Sequence, residues 1–155
     1  MSRIGEFPDD DVAGWILKSP EIGTAMANFT NAVYTKGRLP LRVRELARMV
    51  IALNNECVVC QNTRDSDGAA AGVDEDLYDH AAEWRTWPGY SAQERIAAEF
   101  AERFASDHTG LRDDEDFWAH NQIVAVGFLK PGAFRRLTTT AILFLTDYAT
   151  RHIYN

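Results

Sequence analysis

Two cysteines occur in the chain, three positions apart, as Cys57-Val58-Val59-Cys60. At a helix start, residues i and i+3 share one face, so both sulfurs come within bonding distance, and the helix dipole favours a thiolate. Such a pair can cycle between dithiol and disulfide. Two other readings attach to the same residues. Free cysteine often packs as a small buried hydrophobe, and Val58 and Val59 suit that role equally. A structural zinc site needs four ligands, and His80, His108, His120 and His152 form no His-x3-5-His set to complete one, which argues against metal.

The elements that must position the pair follow from apolar periodicity. Asp11 caps a short first helix with Val12, Trp15 and Ile16, interrupted at Pro20. Ile22, Met26, Phe29 and Val33 mark one face of a second helix that stops at Gly37. After Pro40, Leu46, Met49, Val50 and Leu53 repeat at three and four, and Asn54-Asn55 tolerates a left-handed end. The next stretch favours helix up to Gly72, so segments 41–55 and 57–71 are expected to form a helical hairpin with the cysteines at its joint.

Beyond it, a short helix through Leu77, Ala81 and Trp84 leads to the Pro88-Gly89 turn. Ser91 to Glu94 has the capping-box pattern, opening a helix with Ile96, Phe100 and Phe104 that ends near Gly110. Asp113 or Asp114 begins another through Phe117 and Ile123, and Lys130-Pro131-Gly132 separates it from a last helix with Leu137, Ala141, Phe144 and Tyr148. The expected fold is all-α, six to eight helices in one domain over residues 1–155.

Composition sets the bounds. With 46% apolar and 25% charged residues among 155, the chain can bury a core without staples. A net charge of -7 argues against nucleic acid as a partner. The apolar stretches around Met49 to Leu53 and Ala141 to Leu145 fall short of the ~20 residues that span a bilayer, so no membrane is expected. The first residues lack the apolar core of a secretory signal, and a cytoplasmic protein is expected. In that compartment a cysteine pair is more often catalytic or redox-sensing than structural.

Eleven residues separate Glu45 from Cys57, and the segment Glu45 to Cys60 resembles the active-site hairpin of AhpD-like alkylhydroperoxidases in the carboxymuconolactone decarboxylase superfamily. The resemblance is strongest over residues 41–72 and looser at Trp84-Arg85-Thr86 and Glu94-Arg95. It implies that Cys60 attacks a hydroperoxide and becomes a sulfenic acid, that Cys57 resolves it into a disulfide, and that Glu45 serves a proton relay. It also implies an external dithiol or lipoyl-protein-type reductant, no cofactor, and a homo-oligomer, a trimer or larger. Helix-dipole reasoning alone favours Cys57 as the thiolate.

One position departs from the pattern. The family's histidine, four residues after the second cysteine, is Arg64 here. Arginine can favour a nearby thiolate by charge but cannot shuttle protons. His80 and His120 are the candidates for the missing shuttle. Taken alone, Glu45 is expected to be a solvated helix carboxylate paired with Arg48 or Arg44, and Arg64 a surface residue paired with Asp65, Asp67 or Glu56. The aromatics Trp15, Trp84, Trp87 and Trp118 suit core, interface or pocket.

The expected function is a thiol-dependent peroxidase. The alternatives are a thiol-disulfide oxidoreductase without peroxidase activity and a non-catalytic helical oligomer that binds a small molecule. True carboxymuconolactone decarboxylases work without such a cysteine pair, which argues against lactone decarboxylation here.

Overall fold

The computed structural model describes residues 14, 16, 18–37 and 39–120, and all regular structure among them is helical. Val12, Trp15, Ile123 and the expected last helix with Leu137, Ala141, Phe144 and Tyr148 lie outside the described residues. The chain divides into two compact units, Met1–Gly37 and Arg38–Asn155.

In the first unit, α1 (Pro20–Lys36) starts on a proline whose fixed φ suits the first helical position, with Glu21 in the first turn and Lys36 in the last to complement the dipole. The chain leaves the helix at Gly37 in an extended conformation. The expected stripe does not bury as a unit. Val33 is buried, but Ile22 is 70% exposed and Phe29 42% exposed. The close contact is made instead through Gly23, where a Cβ would stand 2.8 Å from the Ile16 carbonyl oxygen. A side chain at position 23 would collide with the chain that leads into α1, so the close approach there requires glycine.

In the second unit, α2 (Leu41–Asn54) is buried nearly all round, with every residue from Glu45 to Ala52 buried. It packs chiefly on α5 (Ala92–Asp113). Ala47 and Ala52 on α2, and Ala97, Ala98 and Ala101 on α5, are fully buried. Phe100 and Phe104 bury as predicted, while Ile96 is only half-buried. The Ser91 capping box forms: the Ser91 N–H donates to Glu94 Oε2 at 2.6 Å and the Glu94 N–H to Ser91 Oγ at 3.2 Å. The helix runs past Gly110 because Asp107, at a kink, accepts the Gly110 N–H at 2.9 Å and starts a second segment. Asp114 caps α6 (Glu115–His120) through the Phe117 N–H.

The hairpin joint is tighter than periodicity suggests. Glu56, not Asn54 or Asn55, takes the left-handed conformation, at φ 52°. The Glu56 N–H donates to the Leu53 carbonyl at 3.1 Å and the Cys57 N–H to the Ala52 carbonyl at 3.0 Å, which is the Schellman closure. The following helix α3 is short (Val58–Asn62), not a continuous run to residue 71. Asn62 Nδ2 and Thr63 Oγ1 donate back to the Val58 and Val59 carbonyls, and the Asp67 N–H turns to Asp65 Oδ1, so side chains compete with helix extension.

A 3-10 turn (Ala69–Ala71) then closes at Gly72, whose φ is 74°, while the helix expected to end there has already stopped at Asn62. Asp74 caps α4 (Glu75–Asp79), and a break at His80 separates it from a 3-10 turn (Ala81–Glu83). Leu77, Tyr78, Ala81 and Trp84 from this stretch join Leu46, Met49 and Val50 of α2 in one apolar cluster, against which Cys60 packs.

A non-glycine residue in the left-handed region costs roughly 1 kcal/mol. The Glu56 side chain is exposed. Glu56→Gly is therefore expected to raise unfolding free energy by about 0.5–1 kcal/mol in urea titration; an unchanged or lower midpoint would contradict the strain at this joint.

Candidate functional site

Glu45 and Arg48 stand one turn apart on α2, 1% and 3% exposed. Arg48 Nε and Nη2 donate to Glu45 Oε2 at 3.0 and 2.9 Å. The rest of the guanidinium faces the end of α3: Nη1 donates to the Cys60 carbonyl at 2.5 Å and Nη2 also to the Thr63 carbonyl at 2.9 Å. The last carbonyls of a helix lack intrahelical partners and carry partial negative charge, so a cation there is favourable. Glu45 Oε2 receives a third donor, the Tyr78 hydroxyl at 3.0 Å, while Oε1 is buried with no hydrogen-bond partner.

The two cysteines form a disulfide, with Cα atoms 5.3 Å apart. Cys57 is the N-cap of α3, and its Sγ accepts the Cys60 N–H at 3.3 Å. Gln61 Nε2 donates to the Ala52 carbonyl at 3.2 Å, tying α3 back to α2. Both cysteines are partly buried, whereas Val58 and Val59 between them are 70% and 44% exposed. The dipeptide inside the pair thus faces outward while Cys60 faces the core. An N–H aimed at Cys57 Sγ stabilises charge on that sulfur when the disulfide is opened.

Tyr78 belongs to this cluster. Burial, then the charge of Glu45 and the hydrogen bond to it, push its hydroxyl up to about 12. The Arg64 guanidinium lies over its ring, 3.9 Å from the centroid, with that of Arg48 at 5.9 Å. Arg64 also pairs with Glu75 at 3.0 Å and donates to the Gln61 and Thr63 carbonyls. The Glu75 carboxylate raises the pKa of Arg64 further, and Arg64 in turn lowers that of Glu75.

Of the residues singled out from the sequence, Glu45, Cys57, Cys60 and Arg64 come together around the hairpin joint. Glu45 corrects the expectation of a solvated carboxylate: α2 is enclosed on all sides, so even its charged residues are internal. Arg64 pairs with Glu75 rather than Asp65, Asp67 or Glu56; Asp65 is taken by Arg44 at 2.5 Å. His80 is directed elsewhere, bonded to Glu83 and stacked on Trp87 at 4.5 Å. The side chains of Trp118 and His120 lie outside the described residues. Trp84 is core.

Sequence reasoning did not single out Arg48 or Tyr78 as site residues. Arg48 left one trace, a charge at the edge of the apolar run Met49 to Leu53 and one turn from Glu45. Tyr78 left none, being 33 positions from its partner.

No group of three or more His, Cys, Asp or Glu among the described residues could hold a metal ion, and no described helix is long and apolar enough to cross a membrane. The carboxymuconolactone decarboxylase family matches the chain over residues 20–103, a span that contains every residue of this cluster. No curated protein and no solved structure gives a significant match.

Two outcomes follow from the burial. Removing one partner of a buried ion pair typically costs about 3–5 kcal/mol, whereas replacing both by apolar residues is often neutral. Arg48→Met should lose stability on that scale, and Glu45→Leu combined with Arg48→Met should recover most of it in a double-mutant cycle. Additive losses would show that the pair is not coupled. Tyr90, whose hydroxyl donates to the Leu77 carbonyl at 2.6 Å, is also pushed by burial up to about 12.

For both tyrosines the folded pKa exceeds the unfolded one of about 10, so their contribution is whole below pH 10 and is lost as pH rises toward 12. Urea midpoints should fall across that window, by up to about 3 kcal/mol per group, and fall less in Tyr78→Phe and in Tyr90→Phe. A flat profile in wild type would contradict the burial.

Proposed function

Because the chain belongs to the carboxymuconolactone decarboxylase family, we propose that it is a thiol-dependent peroxidase of the alkylhydroperoxidase type, cycling through Cys57 and Cys60. The observation that carries this reading is the Cys57–Cys60 disulfide at a helix start, joined through Arg48 to a buried carboxylate. A pair packed only for its bulk would not need a charged network behind it.

In this cycle the Cys60 thiolate attacks a hydroperoxide oxygen. The S–O bond forms, the O–O bond breaks, and the departing alkoxide takes a proton to become an alcohol. Cys57 then attacks the sulfenic sulfur; the S–S bond forms and the hydroxyl leaves as water with a second proton. An external dithiol restores both thiols by exchange, giving up two electrons and two protons and becoming a disulfide. The Cys60 N–H directed at Cys57 Sγ makes Cys57 the better leaving group when that dithiol attacks Cys60. Glu45 is the group that holds the mobile proton.

The exposed Val58 and Val59 give an approaching dithiol, of lipoyl type by resemblance, an apolar landing beside the disulfide. The cycle suits a reducing cytoplasm, where such a pair turns over. The exposed apolar side chain of Ile22 on α1 offers a subunit contact for the homo-oligomer that the family resemblance implies.

One observation favours a second reading, disulfide exchange without peroxide reduction: Arg64 is held by Glu75 and cannot release a proton. The two are separated by intact mass and thiol titration of the reduced protein with about one equivalent of hydrogen peroxide or an organic hydroperoxide. Peroxidase action predicts rapid loss of two hydrogens and both thiols, with Cys60→Ser stopping the reaction and Cys57→Ser trapping a sulfenic acid. Oxidation no faster than that of a free thiol, with dithiol exchange intact, would overturn the peroxidase in favour of the second reading.

A further inference from the structure

We infer that Tyr78 is the proton-transfer partner of Glu45, the group through which the buried carboxylate gains and loses protons during the redox cycle. This rests on the redox reading above. Glu45 is 1% exposed, so water does not reach it directly. Its hydrogen-bond donors are Arg48, through two N–H groups, and Tyr78. A guanidinium does not give up a proton in a protein, so it can hold the carboxylate but not carry its proton. The phenol both donates and accepts. It donates to Oε2 in this structure; when Glu45 is protonated the same contact runs in reverse, with the carboxyl donating to the phenol oxygen.

The neighbouring charges suit that task. From α2 the phenol faces Glu45 and Arg48, and from the segment after α3 it faces Arg64, whose own carboxylate partner is Glu75 of α4. Asp79, on α4, lies near enough to Arg64 to add to its charge interactions. Two guanidiniums at the ring offset the charge of a transient phenolate, while Glu45 and burial keep the hydroxyl protonated at rest. Oxidation neither makes nor consumes protons overall, since both thiol hydrogens end on the alcohol and the water. They must nonetheless pass from sulfur to oxygen, and in this proposal Glu45 takes part in that transfer with Tyr78 as its exchange partner.

The test is Tyr78→Phe, which keeps the ring and removes the hydroxyl. Disulfide formation by hydrogen peroxide, and disulfide reduction by dithiothreitol, are followed in both proteins, with circular dichroism to establish equal folding. Loss of a proton-transfer group predicts a fall of about 10²-fold, restored by added imidazole as a diffusible proton carrier. It also predicts a rate that keeps rising with pH where the wild type has levelled off, because hydroxide takes over proton removal. An unchanged rate in the variant, or a slow rate insensitive to imidazole and pH, would overturn the role. A wild type inert to peroxide would sink the peroxidase reading alone, and the dithiothreitol comparison would still decide for or against Tyr78.

Discussion

An ion pair enclosed in the most buried helix constrains what surrounds it. Glu45 and Arg48 have left water almost completely, and an ionised group there is tolerated only if its hydrogen-bonding capacity is met by geometry as well as charge. Glu45 uses part of the guanidinium; the remaining N–H bonds must find acceptors. They find the Cys60 and Thr63 carbonyls, and those are free to turn toward Arg48 because α3 ends there. A helix continued through residue 64 would direct the Cys60 carbonyl along its own axis. The short redox helix and the satisfied arginine are therefore two aspects of one arrangement.

The same economy of donors and acceptors governs the joint. The Cys57 N–H closes the end of α2 on the Ala52 carbonyl, and the Cys57 Sγ opens α3 by accepting from the Cys60 N–H. One residue finishes one helix and starts the next, so little slack remains between the core helix and the disulfide. Holding a reactive pair on rigid elements in this way fixes its geometry better than a loop would. The two valines between the sulfurs face the outside.

Features written in short-range chemistry were legible from the sequence. The hairpin, its cysteine joint, the Ser91–Glu94 capping box, the Pro88-Gly89 turn and the Gly72 terminator each depend on residues within a few positions of one another. What failed to show depended on competition or distance. Asn62 and Thr63 read as tolerable helix residues, yet their side chains draw off the carbonyls that extension would need. The left-handed residue fell on Glu56 because closing the joint on Cys57 fixes the register, against the preference of Asn54 and Asn55. The burial of Glu45 ran against the average behaviour of glutamate, and Tyr78 reaches it across 33 positions with no periodic trace. On α1, Val33 buries while Ile22 of the same apolar stripe stays 70% exposed.

The substitution at position 64 gains a physical meaning from this geometry. Arg64 is bound to Glu75, to two backbone carbonyls and to the face of Tyr78. Its charge is largely answered by Glu75, and among these partners no cysteine sulfur appears, so its effect on the pair passes through the end of α3 and the phenol. In the proposed cycle the tasks are thereby divided: the arginines hold charge and position, and neutral or ionisable oxygen groups move the proton. A histidine combines both tasks and titrates near neutrality. A carboxylate and a phenol separate them, with the phenol held near 12, so the phenol keeps its proton at rest throughout the physiological range.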